Sequence, residues 1–293
     1  DSVSLLWAAR RGLSKSEMMD LLGTEGKPLP TAYWAPLYLA MEHSLVETDG
    51  RITFFHDYLR TAVEHRYLPF GEYKRAAHLR VADYFAVQPN SQRRIEELPW
   101  QLAEGVEWDR LVALLTDPTF FLAVWIARKY DVKQYWVKIE DGSSHRMVEA
   151  YRSVIQEPEH FPSSFVLELR TLLYETGHLT EASALGEYLI ESLRELGDAD
   201  ALQRSLDKQA NILYIRGDLN RAIVLHKEQE RICRELGNVD GLQACLGHQG
   251  VILKDRGDLD NAMTLYKEQE QICRELGNVN SLSKSRKHLR KPD

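Results

Sequence analysis

Arg194-Glu195-Leu196-Gly197-Asp198 returns as Arg234-Glu235-Leu236-Gly237-Asn238 and again as Arg274-Glu275-Leu276-Gly277-Asn278, a period of forty residues. Gly177-His178-Leu179, Gly217-Asp218-Leu219 and Gly257-Asp258-Leu259 keep the same interval, as do Ala182, Ala222 and Ala262. Such a period marks an array of stacked repeats. Each unit reads as two helices, one before the Gly-x-Leu turn and one after it. The small Ala lets the second helix lie close to the first, and the Gly takes a turn geometry that other residues resist. Cys233 and Cys273 occupy equivalent places, so repeat packing explains them better than disulfides or metal; Cys245 is the third cysteine. Two full units and a more divergent first one fill 163–293. Near the end Leu246, Gly250 and Leu253 map by period onto Arg286, Arg290 and Asp293. An array needs a polar outer cap, so Ser281–Asp293 is expected to be a capping helix, with a basic cluster of Lys284, Arg286, Lys287, Arg290 and Lys291.

Stacked helix pairs curve and present a groove lined by their first helices. The expected groove residues are Arg204, Asp207, Asn211 and Tyr214 in the second unit, and Gly247, Val251, Lys254 and Asp255 in the third. They are polar without a dominant sign, and a protein or peptide is the expected ligand.

The whole chain has 293 residues, enough for two or three domains. With 44% hydrophobic and 28% charged residues it reads as an ordinary folded protein. A net charge of −7 and a pI near 5.9 argue against a general nucleic-acid binder. No apolar run approaches the roughly 18 residues of a membrane span, and there is no secretory signal pattern. No membrane partner and a reduced, cytoplasmic setting are expected. The chain begins at Asp1 rather than Met and is read as a piece of something longer.

Before the repeats, 1–68 carries a different pattern. Val3, Leu5, Leu6, Ala8 and Ala9 give a first helix, expected to end at Gly12. Ser14 and Glu17 form a capping box for a second. Pro28 and Pro30 break the chain, and a third helix runs from about Ala32 to His43. Two β-capable runs, Leu45–Thr48 and Arg51–Phe54, flank Asp49-Gly50, a strong hairpin signal. Three helices and a hairpin describe a winged helix. Its third helix, from Thr31 to His43, holds no Arg, Lys, Asn or Gln, the donors that phosphates and base edges require, so DNA binding is not expected. Gly23-Thr24-Glu25-Gly26-Lys27 has the wrong spacing for a phosphate loop, and Pro28 stands where Ser or Thr belongs.

The segment 69–162 reads as helices over about 73–88, 94–105, 108–115, 120–129, 132–139 and 147–155. Trp100, Trp108, Trp125 and Trp136 are expected to be packing core. His65, His78, His145 and His160 show no metal-ligand spacing, and no metal site is expected. No nucleophile, base and orienting group can be assembled, so this chain is not expected to be an enzyme by itself.

The hairpin runs directly into Phe55-His56-Asp57-Tyr58-Leu59-Arg60. A winged helix entering such a stretch resembles that of the signal-transduction ATPases with numerous domains (STAND), which include the NACHT, apoptotic-type (NB-ARC) and nephrocystin-like proteins. His56 and Asp57 match the His-Asp of the family's MHD motif, with Phe55 where Met is usual. His78–Phe85, Glu97–Leu102 and Leu111–Leu115 resemble the helical linker that follows. The forty-residue units resemble tetratricopeptide repeats (TPR) of the longer, kinesin-light-chain-like kind. The resemblance implies a cytoplasmic, innate-immunity-like sensor. His56 would reach the phosphates of ADP held by an upstream nucleotide-binding domain in cis, Asp57 would brace the turn, and the repeats would bind a trigger or sister subunits. This chain has no Gly-rich Lys-Ser/Thr loop, so no cofactor is expected within it; ADP or ATP would belong to the parent ATPase. The expected architecture is all-α with one small β-hairpin: a winged helix over 1–68, a helical linker over 69–162 and a TPR-like α-solenoid over 163–293. Two other readings are an interaction adaptor without nucleotide function and a winged-helix transcription regulator; the bare third helix speaks against the second.

Overall fold

The computed structural model describes residues 1–24 and 26–275. The expected capping helix and its basic cluster lie outside the described residues. Among the described residues the chain is almost all helix with one two-stranded hairpin, and it divides into two compact units, Asp1–Tyr151 and Arg152–Asp293. No single helix among the described residues is long and apolar enough to cross a membrane.

The first unit opens with α1 (Ser2–Ala8), α2 (Lys15–Leu22) and α3 (Thr31–Met41), then β1 (Leu45–Thr48), β2 (Arg51–Phe54) and α4 (Asp57–Tyr67). The capping box forms: the Glu17 amide donates to Ser14 Oγ at 3.2 Å, and the Ser14 amide to Glu17 Oε2 at 2.7 Å. Asp49 and Gly50 take φ of 51° and 71°, the left-handed pair of a type I′ turn. Gly12 does not end α1, which stops at Ala8. It lets the chain press against β2, where an added Cβ would stand 2.4 Å from Thr53 Cγ2. Leu13 then exchanges both backbone hydrogen bonds with Ile52.

The unit continues with α5 (Gly71–Ala86), α6 (Gln92–Glu104), α7 (Trp108–Thr116), α8 (Pro118–Gly142) and α9 (Met147–Ala150). The break expected between the helices over 120–129 and 132–139 is present within α8 as a kink at Arg128 (φ −151°, ψ 44°), where two helical segments meet. Trp125 and Trp136 are core, while Trp100 and Trp108 are partly covered. α6 runs through the middle and carries polar groups inward. Glu97, fully buried, accepts from the Arg10 amide (3.1 Å), the Arg11 amide (3.3 Å), Arg93 Nη1 (3.2 Å) and Gln101 Nε2 (2.9 Å). Arg93 also grips both Glu17 oxygens and the Gly12 carbonyl. Arg128, at the kink, reaches Glu96 at 2.7 Å. Charge thus ties 1–22 to helices α6 and α8.

The second unit begins with α10 (Arg152–Gln156), where the helix expected over 147–155 is instead broken at Tyr151. Three helix pairs follow: α11 (Ser163–Glu175) with α12 (Leu179–Leu196), α13 (Ala199–Ile215) with α14 (Leu219–Leu236), and α15 (Val239–Asp255) with α16 (Leu259–Glu275). Gly177, Gly217 and Gly257 turn each pair with φ of 87°, 83° and 83°. The Arg of the recurring motif links successive second helices, with Arg194 bridging to Glu228 at 2.7 Å and Arg234 to Glu268 at 2.6 Å. Cys233 Sγ meets Gln203 Oε1 and Cys273 Sγ meets Gln243 Oε1, again forty residues apart.

Inside each pair, side-chain volume alternates. Positions 170 and 186 hold Arg and Gly, 210 and 226 hold Ala and His, and 250 and 266 hold Gly and Tyr. An added Cβ on Gly250 would stand 2.5 Å from Tyr266 Cε1, and Tyr266 is buried. Gly250→Val should therefore lower unfolding free energy by about 1–3 kcal/mol through overpacking. Gly250→Ala combined with Tyr266→His, which copies 210 and 226, should lose less. Urea midpoints followed by circular dichroism would decide; an unchanged midpoint for Gly250→Val would refute this packing account.

Candidate functional site

The first helices α13 and α15 carry the expected groove residues. Arg204 forms an ion pair with Asp200 one turn earlier and is exposed. Asp207 Oδ1 meets His248 Nδ1 at 3.2 Å, and Asn211 Nδ2 donates to Asp207 Oδ2 at 3.4 Å. The Tyr214 hydroxyl donates to Asp255 Oδ2 at 2.7 Å. Asp207, through His248, and Tyr214, through Asp255, therefore join α13 to α15, Asn211 bonds within α13, and Lys254 is exposed. Gly247 is not an open groove position: an added Cβ would meet the Gln269 amide at 2.3 Å.

The sequence pattern did not reveal the pocket beside them. A cavity of about 240 Å³ is lined by Arg170, Thr171, Tyr174, Glu175, Lys208, Asn211 and Ile212. Arg170 and Lys208 also line a second cavity, of about 260 Å³, that reaches α12. Arg170 is 1% exposed, and its two terminal nitrogens find no hydrogen-bond partner among the described residues. Burial pulls its pKa down to about 10 despite the nearby Glu168 carboxylate. Burial, and then the Arg170 charge, lower the pKa of Lys208 as well. A buried guanidinium with unpaired terminal nitrogens beside a second cation in a cavity marks a candidate binding site, and its charge suits an anion. The signal was available at 170, where a long cation replaces the Ala210 and Gly250 of later units.

His226, on α14, comes to the same face of α13 as His248. Its ring lies 5.0 Å from that of His248. Burial pushes its pKa down to about 4, so it is neutral near pH 7. Burial favours the neutral acid at Asp207, but the hydrogen bond and charge of His248 outweigh it and hold the carboxyl below its usual range.

In the first unit His56 stands where β2 passes into α4. It is exposed, between the Phe55 ring at 4.3 Å and the Tyr58 ring at 5.2 Å. Asp57 is the first residue of α4 and is also exposed; no side-chain cap bond closes that helix start. The structure keeps both groups outside the core.

No protein-family model matches this chain. It is 30% identical over 137 residues to a TPR repeat-containing protein of Dictyostelium discoideum, covering 46% of this chain and 8% of that protein. It is 27% identical over 140 residues to tetratricopeptide repeat protein 41 of Mus musculus, covering 41% of this chain and 11% of that protein. The chain thus spans a small part of each curated relative. Among solved structures, a STAND protein with a tetratricopeptide repeat sensor from Pyrococcus horikoshii aligns with 99% of this chain and 46% of its own, at 17% identity and a TM-score of 0.42. BtubC (BKLC) from P. vanneervenii aligns with 76% of this chain and 88% of its own, at 13% identity and a TM-score of 0.43. The forty-residue helix pairs are tetratricopeptide-like, and a protein-interaction region is the reading these relatives support.

Proposed function

We propose that the chain is the regulatory and sensing arm of a STAND-type signal-transduction NTPase. The repeat groove takes a protein or peptide trigger, or a sister subunit, through an acidic side chain or terminal carboxylate set against Arg170 and Lys208. The observation that carries the binding part is the Arg170 guanidinium, buried at the floor of the cavity with neither terminal nitrogen paired among the described residues.

The switch part rests on Phe55-His56-Asp57 in its hairpin-to-helix context, read as the sensor of a winged helix. His56 is exposed, as a group that answers to a separate nucleotide domain must be. It offers one imidazole donor to a phosphate at a helix start that favours anions; the nucleotide's other contacts would come from that domain. A trigger opens such a switch only if it binds the open state better than the closed one. His56→Ala in the full-length protein should raise basal nucleotide turnover or self-assembly in the absence of trigger. Basal activity equal to wild type would remove the sensor role and leave an interaction adaptor.

A further inference from the structure

We propose that Asp207, His226 and His248 form a divalent-metal site, of the kind zinc favours, that clips the second repeat unit to the third. One ligand comes from each of α13, α14 and α15, and their ligand atoms all lie within 4.8 Å of one another. A tetrahedral ion bonded at ~2.0–2.2 Å holds its ligands about 3.3–3.6 Å apart. Asp207 Oδ1 and His248 Nδ1 already stand at 3.2 Å. Small side-chain rotations close the rest.

His226 is oriented to act as a ligand. Its Nδ1 lies 2.9 Å from Gln229 Oε1, an acceptor, so Nδ1 carries the proton and donates it to that contact. The lone pair then sits on Nε2, which has no hydrogen-bond partner among the described residues although the residue is fully buried. A buried nitrogen lone pair with nothing to accept from is costly; a cation satisfies it. A ligand histidine whose other nitrogen is held by a hydrogen bond is the usual outer arrangement of metal sites. Asn211 does the same for the free oxygen of Asp207.

The repeat pattern isolates these residues. By the forty-residue register, His226 corresponds to Gly186 and Tyr266, Asp207 to Leu167 and Gly247, and His248 to Glu168, Lys208 and His288, so His248 alone of the three recurs in the sequence. Groups that hold the array together recur: the motif Arg, the turn Gly, the buried Ala. The triad as a whole does not, so packing of the repeat does not require it. His248 and Asp207 are partly exposed, with side-chain exposures of 41% and 29%. An ion here keeps a coordination position open toward solvent, available to water or to a carboxylate of a bound partner.

The test is Zn2+ titration of the whole chain after chelator treatment and removal of the chelator, with Co2+ as a spectroscopic probe. Wild type should take one Zn2+ per chain tightly and melt at a higher temperature with it. Asp207→Asn and His248→Ala alter partly exposed side chains and remove one hydrogen bond between them; each should lower the metal-free melting temperature by at most a few degrees and weaken Zn2+ binding by about 10–100-fold, the range in which even supporting groups act. Bound Co2+ should show visible bands of a nitrogen and oxygen site without thiolate charge-transfer absorption. Equal Zn2+ affinity in wild type and the Asp207→Asn/His248→Ala double variant would overturn the proposal, as an adventitious ion only. Thiolate charge transfer would place the metal at the cysteines and overturn it as well.

Discussion

Replacing Glu97 with alanine is expected to destabilise the first unit by about 3–5 kcal/mol, the range for removing one member of a buried charged cluster. The carboxylate is fully buried and holds two backbone amides, Arg10 and Arg11, together with the Arg93 and Gln101 side chains. Alanine would leave those two part-buried amides without their acceptor. Each orphaned donor costs about 1–3 kcal/mol. Arg93 would keep Glu17 and the Gly12 carbonyl, which limits the loss. Glu97→Gln retains one acceptor oxygen and should fall between wild type and alanine. All six tryptophans lie in the first unit, so intrinsic fluorescence in urea follows it selectively. A loss below 1 kcal/mol for Glu97→Ala would mean that the chain after α1 is held by apolar packing alone.

That network shows where sequence legibility stopped. The repeats were readable because their packing groups recur every forty residues and every copy testifies to the same local geometry. The hairpin was readable because Asp49-Gly50 accepts two left-handed residues that few pairs tolerate. The capping box was readable because its two bonds span three residues. Glu97 was not: its amide partners lie some eighty-six residues earlier, and no period links them. The break near 130 was legible, but its position at Arg128 was not, since the Arg128–Glu96 pair is a contact between helices. Gly12 and Gly247 depart from expectation in one way. Each carries the pattern of a local signal, a helix stop or an open groove position, while its lack of a side chain serves a distant neighbour, Thr53 or Gln269. The expected groove followed one face of the first helices, so it included Asp207 and Asn211. It missed Arg170, where the first unit departs from the repeat, and His226, which projects from a second helix.

Arg170→Met should stabilise the second unit by about 1–4 kcal/mol, as well-packed apolar replacements of buried charge often do, while weakening its grip on an anionic ligand. The buried guanidinium leaves both terminal nitrogens unpaired among the described residues, and water reaches only 1% of its surface. Methionine has comparable length and no charge to desolvate, and it adapts to irregular space. Gly186 leaves room for a long side chain here, since the Arg170 Cδ passes 3.7 Å from where a Cβ would be. The change also relieves Lys208, whose charge is disfavoured by burial and by Arg170. Thermal melts at 222 nm report the stability. Fluorescence anisotropy with a labelled acidic peptide and a neutral control of the same length reports binding. A site built for an anion should give opposite signs: a higher melting temperature and at least tenfold weaker acidic-peptide binding, with the neutral control unaffected. If Arg170→Met melts lower than wild type, Arg170 is part of the packing and the cavity beside it loses its claim to be the ligand site. If it melts higher and binding is unchanged, the strain at Arg170 is real but serves some contact other than the groove's ligand. Only the paired result connects a residue that weakens the fold to a ligand that needs it there.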